Sequence, residues 1–299
     1  MKSTLGQVLT AMVTPFTDGG HVDLHAAQTI ARHLTQPGWN DGIVVNGTTG
    51  ESTTTTDEEK RELVAAVRAA VDTDVRVVAG VGSADTRHSV DLARSAEAAG
   101  ADGLLVVAPY YSRPTQQGML RHFETIADAT SLPVMLYNIP KRTGVEISPD
   151  TLVAASAHDR IVAVKDASGD LGAASEVLGR CDLDYYSGED LLNLPYLSLG
   201  FVGFVSVVGH VAADVLRQML EAVQAGDIVT AQRLHHRLRP LSVGMFRAPG
   251  AASAKAALEL LGLPGGGLRP PLEPVTAQQR DLIAADLELS GVTSSLAPA

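Results

Sequence analysis

The sequence predicts an α/β protein, a (β/α)8 barrel with a C-terminal helical appendage. Three observations indicate this fold. Eight short apolar runs recur along the 299 residues, helical patterns separate them, and most of the runs are continuously apolar rather than alternating. Continuous apolar runs are typical of parallel strands that are covered on both faces. An open doubly wound sheet is the alternative, but it usually has about five or six strands, and no G-x-G-x-x-G motif follows any run.

The predicted strands alternate with helices at a regular spacing. The strands cover 8–13, 42–47, 75–80, 103–108, 133–138, 161–166, 184–188 and 202–207. Neighbouring strands start between 18 and 34 residues apart, which suits one strand and one helix per unit. The helical pattern at 55–71 has Thr56 and acidic residues at its start. The pattern at 85–100 begins at Asp85 and ends at Gly100, as helix caps require.

Helical patterns continue after the eighth strand, over 212–227, 228–241 and 251–263, and a fourth covers 276–291. We count the first three as more than a barrel needs. A Pro/Gly-rich linker separates the last two patterns. The chain is therefore predicted to consist of a barrel over 1–224 and an appendage over 225–299 that packs on it.

Net charge, cysteine count and hydropathy argue against several classes of protein. The net charge is −11, from 34 acidic and 23 basic side chains, which argues against a nucleic-acid partner. Cys181 is the single cysteine, so no internal disulfide can form, which fits a reducing compartment. We find no signal-peptide pattern and no apolar stretch long enough for a membrane span. We therefore expect a cytoplasmic protein without a membrane partner.

In a barrel of this kind the active site lies at the carboxyl ends of the strands. The sixth predicted strand ends on Lys165, within the segment IVAVKDASG. Lysine is almost never fully buried without a reason. Lys165 therefore reaches solvent, pairs with a carboxylate or acts as a nucleophile, and its position alone leaves these alternatives open.

A nucleophilic lysine must be neutral. A free lysine, with a pKa near 10.4, is about one part in a thousand neutral at pH 7.5. Burial in an apolar barrel mouth disfavours the ammonium form and lowers the pKa of the amine. A neutral Lys165 could then form a Schiff base with a carbonyl substrate. Tyr137, one strand away, is the candidate for moving the protons, although a lone tyrosine is more often an interfacial aromatic residue.

Two further strand ends carry candidate binding residues. Thr48 and Thr49 lie in the segment GTTG, which is either a turn before a helix or a set of hydroxyl and backbone N–H groups suited to a small carboxylate. Arg142 follows the fifth strand in the segment YNIPKRTG. It is either a solvated surface residue or a bidentate clamp on a substrate carboxylate.

The histidines do not indicate a metal site. His235 and His236 are adjacent and so face different sides of a helix, and neither they nor His210 show the spacing of metal ligands. Cys181 is expected to be a small buried side chain. We therefore predict no metal and no separate cofactor.

Four segments together resemble the dihydrodipicolinate synthase and N-acetylneuraminate lyase family. GTTGES, APYYSRPTQ, YNIPKRTG and VKDASG fall in the order and at the spacing of that family, and the resemblance covers nearly the whole chain. It implies a class I aldolase barrel in which Lys165 forms a Schiff base with pyruvate and Tyr137 is the general acid and base. It also implies that Thr49 holds the pyruvate carboxylate near the backbone of Val205.

The resemblance implies an oligomer as well. Thr48 and Tyr111 would complete a proton relay, with Tyr111 reaching in from a neighbouring subunit. Such a contact implies a homo-oligomer, typically a tetramer of two tight dimers.

Arg142 favours the synthase branch of the family, in which this arginine is thought to bind the carboxylate of aspartate semialdehyde. The Ser-Gly-Glu segment, which contains Gly188 as a substrate-binding position, is also similar to that branch. The reaction implied joins pyruvate and aspartate semialdehyde into 4-hydroxy-tetrahydrodipicolinate, the first committed step toward diaminopimelate and lysine. A pyruvate-dependent aldolase acting on a sugar acid and an inactive binding paralogue remain alternatives.

The chain departs from the lysine-inhibited members of the family. Asp57 and Lys60 stand where those enzymes tend to carry histidines, Ala84 replaces an amide, and His88 replaces a carboxylate that would pair with the lysine ammonium. A buried ammonium without its counter-charge loses several kcal/mol. We therefore expect no inhibition by L-lysine, unless Asp57 points into the cleft and supplies a substitute carboxylate.

Overall fold

The computed structural model describes residues 3–292. Residues 1–2 and 293–299, which belong to the two predicted domain ranges, lie outside the described residues. Eight parallel strands close into a barrel in sequence order, and β8 pairs with β1. Their bounds are β1 Val8–Ala11, β2 Gly42–Val45, β3 Arg76–Gly80, β4 Gly103–Val107, β5 Val134–Asn138, β6 Ile161–Asp166, β7 Asp184–Ser187 and β8 Gly203–Ser206.

The predicted fold class is confirmed. Each observed strand begins within one residue of its predicted start and ends within two residues of its predicted end. The helices are α1 Leu24–Leu34, α2 Asp57–Ala70, α3 Thr86–Ala98, α4 Gln116–Asp128, α5 Pro140–Thr143, α6 Pro149–Ala155, α7 Leu171–Leu178, α8 Asn193–Ser198, α9 Gly209–Gln224, α10 Ile228–Gly244, α11 Gly250–Leu260 and α12 Ala277–Leu289.

Local sequence signals explain where the helices begin and end. Thr56 accepts the backbone N–H of Glu59, whose carboxylate accepts the N–H of Thr56, so α2 starts with a complete capping box. Asp85 caps α3 by accepting the N–H of Arg87. Gly100 follows α3 with a φ of +93°, a left-handed conformation that favours glycine.

The core has two parts. Strands and surrounding helices form the larger part, and side chains that point into the barrel form the smaller one. The inner set includes Leu9, Val44, Val78, Leu105, Met135, Ala163, Tyr186 and Val205. These side chains fill the barrel, so it is a packed core and not a channel, and a ligand can enter only at its ends.

The sequence analysis placed four helical patterns beyond the eighth strand as additions to the barrel, and that number was too high by one. Helix α9 packs against β1, β8 and α1, so it closes the ring of helices around the barrel. Within residues 3–292 three helices remain outside that ring, α10, α11 and α12; α10 and α11 pack on α9, and α12 packs on α10 and α11. The division at residue 224 stays a prediction.

None of the helices within residues 3–292 has the length and apolar character needed to cross a membrane.

Candidate active site

A cavity of about 1270 Å³ opens at the carboxyl ends of the strands. Its lining comes from the loops after β2 to β8, from α10, from the start of α11 and from the segments on either side of α11. The site residues among them are Thr48, Thr49, Tyr111, Tyr137, Arg142, Lys165 and Gly188. The structure therefore brings seven of the eight predicted site residues to one cavity. The other, Val205, lies in the barrel interior and does not line it.

Lys165 is buried near the base of this cavity, with only 5% of its surface exposed. Its strand lies between those of Tyr137 and Tyr186, in register with both residues. The pKa of Lys165 is lowered to about 8, mainly by burial; the nearby Asp190 carboxylate opposes the fall and the charge of Arg142 adds to it. Roughly a quarter of the amine is then neutral at pH 7.5, against about one part in a thousand for a free lysine.

Gly188 leaves room for the Lys165 side chain. A Cβ at Gly188 would lie 2.9 Å from Cε and 3.0 Å from Cγ of Lys165. Any larger residue would therefore displace the amine. The role of Gly188 in this site is steric, because its lack of a side chain sets where the lysine can lie.

Tyr137 lies next to the amine. Lys165 Nζ is 4.2 Å from the centroid of the Tyr137 ring. Burial raises the pKa of Tyr137 to about 12, while the charge of Arg142 and the hydroxyl of Thr48 oppose the rise. The phenol is therefore protonated at neutral pH, so it can donate a proton before it accepts one.

The loop after β2 presents both threonines. Thr49 is buried, whereas Thr48 is exposed to the cavity. The backbone N–H groups of Thr48 and Thr49 donate no hydrogen bond within the described chain. Two adjacent N–H groups and two hydroxyls at a cavity wall suit a small carboxylate.

Arg142 lies in the short helix α5, directly after β5, and its side chain is exposed at the cavity. No carboxylate within residues 3–292 forms a salt bridge with it. Its charge nevertheless acts on Lys165 and Tyr137, because it opposes protonation of the amine and favours the phenolate. Arg142 can therefore bind a substrate anion without first breaking an ion pair of its own.

Tyr111 lies at the rim rather than beside the amine. It is 95% exposed and has a φ of +71°, a left-handed conformation that is uncommon outside glycine. Its hydroxyl forms no hydrogen bond with the rest of residues 3–292. The structure of a single chain thus joins Thr48 to Tyr137 but leaves Tyr111 apart from them.

Sequence reasoning missed Asp190, which lies in a 3₁₀ turn after β7 and is buried. Its Oδ2 accepts the N–H groups of Val207 and Val208 at 2.9 and 3.0 Å, and Ser206 Oγ donates to its Oδ1 at 2.5 Å. Asp190 thereby fixes the loop after β8. The signal in the sequence was an acidic residue just after Gly188 and Glu189, at a strand end.

Glu51 and Lys255 were also missed. They form a buried ion pair between the loop after β2 and helix α11. Lys255 is surrounded in sequence by small and apolar residues, GAASAKAALEL, a pattern comparable to that around Lys165.

The histidines have structural roles. His210 is fully buried; it receives the N–H of Val13 at Nε2, and Nδ1 lies 2.8 Å from the carbonyl of Val207. Burial lowers its pKa to about 4, so the ring stays neutral and Nδ1 donates. No group of three potential ligands within residues 3–292 is placed to hold a metal ion.

Three of the residues that differ from those of the lysine-inhibited family members already form hydrogen bonds within this chain. His88 Nε2 lies 2.9 Å from Asp57 Oδ1, across the starts of α2 and α3. Lys60 Nζ donates to the carbonyl of Thr55 at 2.5 Å. The Asp57 carboxylate therefore has a partner and is not free to act as the substitute carboxylate considered above.

Known proteins resemble this chain along its whole length. The profile of the Dihydrodipicolinate synthetase family matches residues 4–290. A 4-hydroxy-tetrahydrodipicolinate synthase 2 from Streptomyces coelicolor is 54% identical over 291 residues, covering 97% of each chain. A 4-hydroxy-tetrahydrodipicolinate synthase from Kineococcus radiotolerans is 55% identical over 296 residues, covering 98% of this chain and 94% of the relative.

Solved structures agree with this likeness. A DHDPS from Cyanidioschyzon merolae with lysine bound superposes with a TM-score of 0.95 at 41% identity, covering 98% of this chain and 100% of the other. A chloride-inhibited dihydrodipicolinate synthase from Acinetobacter baumannii, complexed with pyruvate, gives a TM-score of 0.92 at 32% identity, covering 97% and 100%.

Proposed function

The chain belongs to the dihydrodipicolinate synthetase family, and from this premise we propose that it condenses pyruvate with L-aspartate 4-semialdehyde. The product is 4-hydroxy-tetrahydrodipicolinate, and the reaction is the first committed step toward diaminopimelate and lysine. The observation that carries the proposal is Lys165, a buried amine with a lowered pKa, beside Tyr137 at the mouth of a barrel.

The first half of the reaction takes place on Lys165. The neutral Nζ attacks the keto carbon of pyruvate and gives a carbinolamine. Tyr137 donates a proton to the leaving hydroxyl group, which departs as water, and the Schiff base remains. Loss of a proton from the pyruvate methyl group then produces an enamine. No further cofactor takes part, because the covalent adduct itself serves as the electron sink.

The second half uses aspartate semialdehyde. The enamine carbon attacks the aldehyde carbon, and the new alkoxide takes up a proton through Tyr137 and Thr48. The amino group of the bound aspartate semialdehyde then attacks the Schiff-base carbon. The ring closes as the Lys165 amine leaves, so the enzyme returns to its starting state.

Three residues bind the two carboxylates in this proposal. Thr49 and the free N–H groups at Thr48 and Thr49 hold that of pyruvate. Arg142 holds that of aspartate semialdehyde, since a guanidinium binds a carboxylate through two parallel hydrogen bonds. Gly188 contributes by its lack of a side chain, whereas Val205 lies below the cavity and is given no contact with the substrate.

We also propose that the working form is a homotetramer. Tyr111 is exposed and its hydroxyl forms no hydrogen bond within residues 3–292, which supports a role in the relay of a neighbouring copy. A cytoplasmic location, expected from the single cysteine, stays a prediction.

A direct assay tests the assignment against its alternatives. Purified protein is incubated with pyruvate and aspartate semialdehyde, and the cyclic product is measured; a parallel reaction contains a sialic or other sugar acid, and release of pyruvate is measured. We expect product only from the first mixture. Turnover of the sugar acid alone would show an aldolase, and turnover of neither would show an inactive paralogue.

A further inference from the structure

A buried ion pair connects the loop that carries Thr48 and Thr49 to the C-terminal helices. Lys255 Nζ donates to Glu51 Oε1 at 2.5 Å, and the two side chains are 3% and 0% exposed. Glu51 ends the segment GTTGE of that loop, whereas Lys255 lies in the middle of α11, where every residue from 250 to 258 is buried. The two partners are 204 positions apart in the sequence.

The other side-chain hydrogen bonds of Lys255 and Glu51 both join them to the segment 267–269. Lys255 Nζ also donates to the carbonyl of Gly267 at 2.6 Å and lies 4.7 Å above the centroid of the Phe16 ring. Glu51 Oε2 accepts the backbone N–H of Arg269 at 3.1 Å. Burial lowers the pKa of Lys255, and the hydrogen bond with Glu51 opposes that fall.

Arg269 extends the connection back to the same loop. Its guanidinium donates to the carbonyl of Thr54 at 2.7 Å and to that of Gly20, and it forms an ion pair with Glu59 at the start of α2. The loop after β2 and the first turn of α2 are thus bound to the segment around residue 269 at several points.

This loop has a conformation that needs external support. Asn46 and Glu51, at its two ends, have φ values of +56° and +54°, a region that non-glycine residues seldom adopt. Such residues persist only where their surroundings over-determine them. Thr14 Oγ1 donates to the carbonyl of Gly50 at 2.7 Å and supports the loop from the barrel side. The Glu51–Lys255 pair supports it from the outside.

We propose that Lys255 is a positioning residue of the active site, which acts through Glu51 to hold Thr48 and Thr49 where the substrate meets them. This inference rests on the proposed function, because it presupposes the roles of the two threonines. A buried ion pair contributes little net stability compared with apolar side chains of similar size, so its value here lies in the geometry it imposes. The C-terminal helices are then a functional part of the barrel's active site.

Lys255→Met tests the proposal, with Arg247→Met as the matched control. Arg247, in the segment between α10 and α11, forms an ion pair with Asp286 of α12, whose side chain is 7% exposed, and this pair has no hydrogen bond to the loop after β2. Each variant leaves one largely buried carboxylate without its cation, Glu51 in the loop after β2 in the first case and Asp286 in α12 in the second. We expect Lys255→Met to raise the KM for pyruvate about tenfold and to lower kcat/KM about 100-fold, since a displacement of about 1 Å has effects of that size.

The control separates positioning from general destabilisation. We expect Arg247→Met to lower the melting temperature but to keep the kinetic constants of the unchanged protein. Equal kinetic losses in both variants would overturn the proposal, and so would unchanged kinetics in Lys255→Met. Borohydride trapping at saturating pyruvate should still place the adduct on Lys165 in every variant.

The double variant Glu51→Gln/Lys255→Met covers the case in which Lys255→Met fails to fold. It removes both buried charges and keeps an amide oxygen that can accept the N–H of Arg269. We expect this protein to fold and to show the same rise in KM, and wild-type kinetics in it would contradict the proposal. If the unchanged protein formed neither adduct nor product, the proposed function would fail and this inference with it. Normal kinetics in the variants alone would remove only the inference.

Discussion

Lys165 is activated mainly by where it lies. Loss of hydration is the largest cause of its lowered pKa, and the charge of Arg142 adds to it, while the buried Asp190 acts in the opposite direction. The amine therefore becomes partly neutral near physiological pH because the barrel mouth excludes water from it, and the neighbouring charges adjust that value.

This balance predicts how Schiff-base formation depends on pH. Because only the neutral amine attacks, the rate of adduct formation at low pyruvate should rise as pH increases through about 8, the folded-state pKa of Lys165. The measurement is single-turnover borohydride trapping between about pH 6 and 9. A rate that is flat across this range would show that deprotonation of Lys165 does not limit the reaction.

Arg142→Ala should impair the reaction with aspartate semialdehyde but not adduct formation with pyruvate. We expect pyruvate to form its adduct still, while kcat/KM for aspartate semialdehyde falls by roughly 30-fold to several thousand-fold, the effect of losing a charge-assisted carboxylate contact. The pH profile of adduct formation should also move to higher pH, because Arg142 lowers the pKa of Lys165. Near-normal turnover of the aldehyde would mean that Arg142 is only a surface charge.

Sequence reasoning identified some site residues and missed others for a physical reason. Lys165 could be found because it interrupts an apolar strand at the end where barrel sites lie. Lys255 interrupts an apolar helix in the same way, but its partner Glu51 is 204 residues away in sequence, and only the folded chain brings them together. Asp190 was missed because two of its partners are backbone N–H groups, which have no sequence signature, and its partner Ser206 lies on β8.

At the level of elements, the strands could be predicted almost to the residue because each is buried on both faces, so apolar runs mark them directly. The helices after β8 were harder to assign. Helix α9 belongs to the ring around the barrel, and α10 and α11 do not, although all three carry apolar residues at helical spacing. Amphipathic spacing shows that a face is buried, but it does not show against which element.

The prediction that L-lysine does not inhibit the protein depends on residues at the starts of α2 and α3. Asp57 and His88 pair with each other there, so the Asp57 carboxylate already has a partner in this chain. We expect that L-lysine up to about 10 mM does not inhibit at saturating pyruvate, because an uncompensated buried ammonium costs several kcal/mol of binding. The measurement is an initial-rate titration. Half-inhibition below about 1 mM would show that the cleft still binds lysine despite these substitutions.

At the level of the whole molecule, the cavity of a single chain contains the Lys165 amine, the phenol of Tyr137 and the groups proposed to bind the two carboxylates. Tyr111 lines the rim of this cavity and is 95% exposed, and in the proposed relay the second phenol comes from a neighbouring copy. The sequence could suggest an oligomer only through its resemblance to a family, since neither composition nor periodicity records which exposed residues meet another copy.

Tyr111→Phe tests this part of the account. The variant keeps the aromatic ring and removes the hydroxyl, so the assembly measured by analytical ultracentrifugation should remain a tetramer. We expect kcat to fall at least about 100-fold, as for a lost proton-transfer group, while pyruvate still forms its adduct. A monomeric unchanged protein with full activity would contradict a role for Tyr111 across a subunit contact.

The central claim is that Lys165 is the nucleophile, and borohydride reduction in the presence of pyruvate, followed by peptide mass spectrometry, tests it most directly. We predict a single reduced adduct on Lys165, its absence in Lys165→Met, and its persistence in Lys141→Met, whose changed lysine also lines the cavity. The Lys165→Met protein should remain folded, because methionine replaces a buried amine without burying a new charge. An adduct on another lysine with Lys165 unmodified, or no adduct at all, would contradict the account.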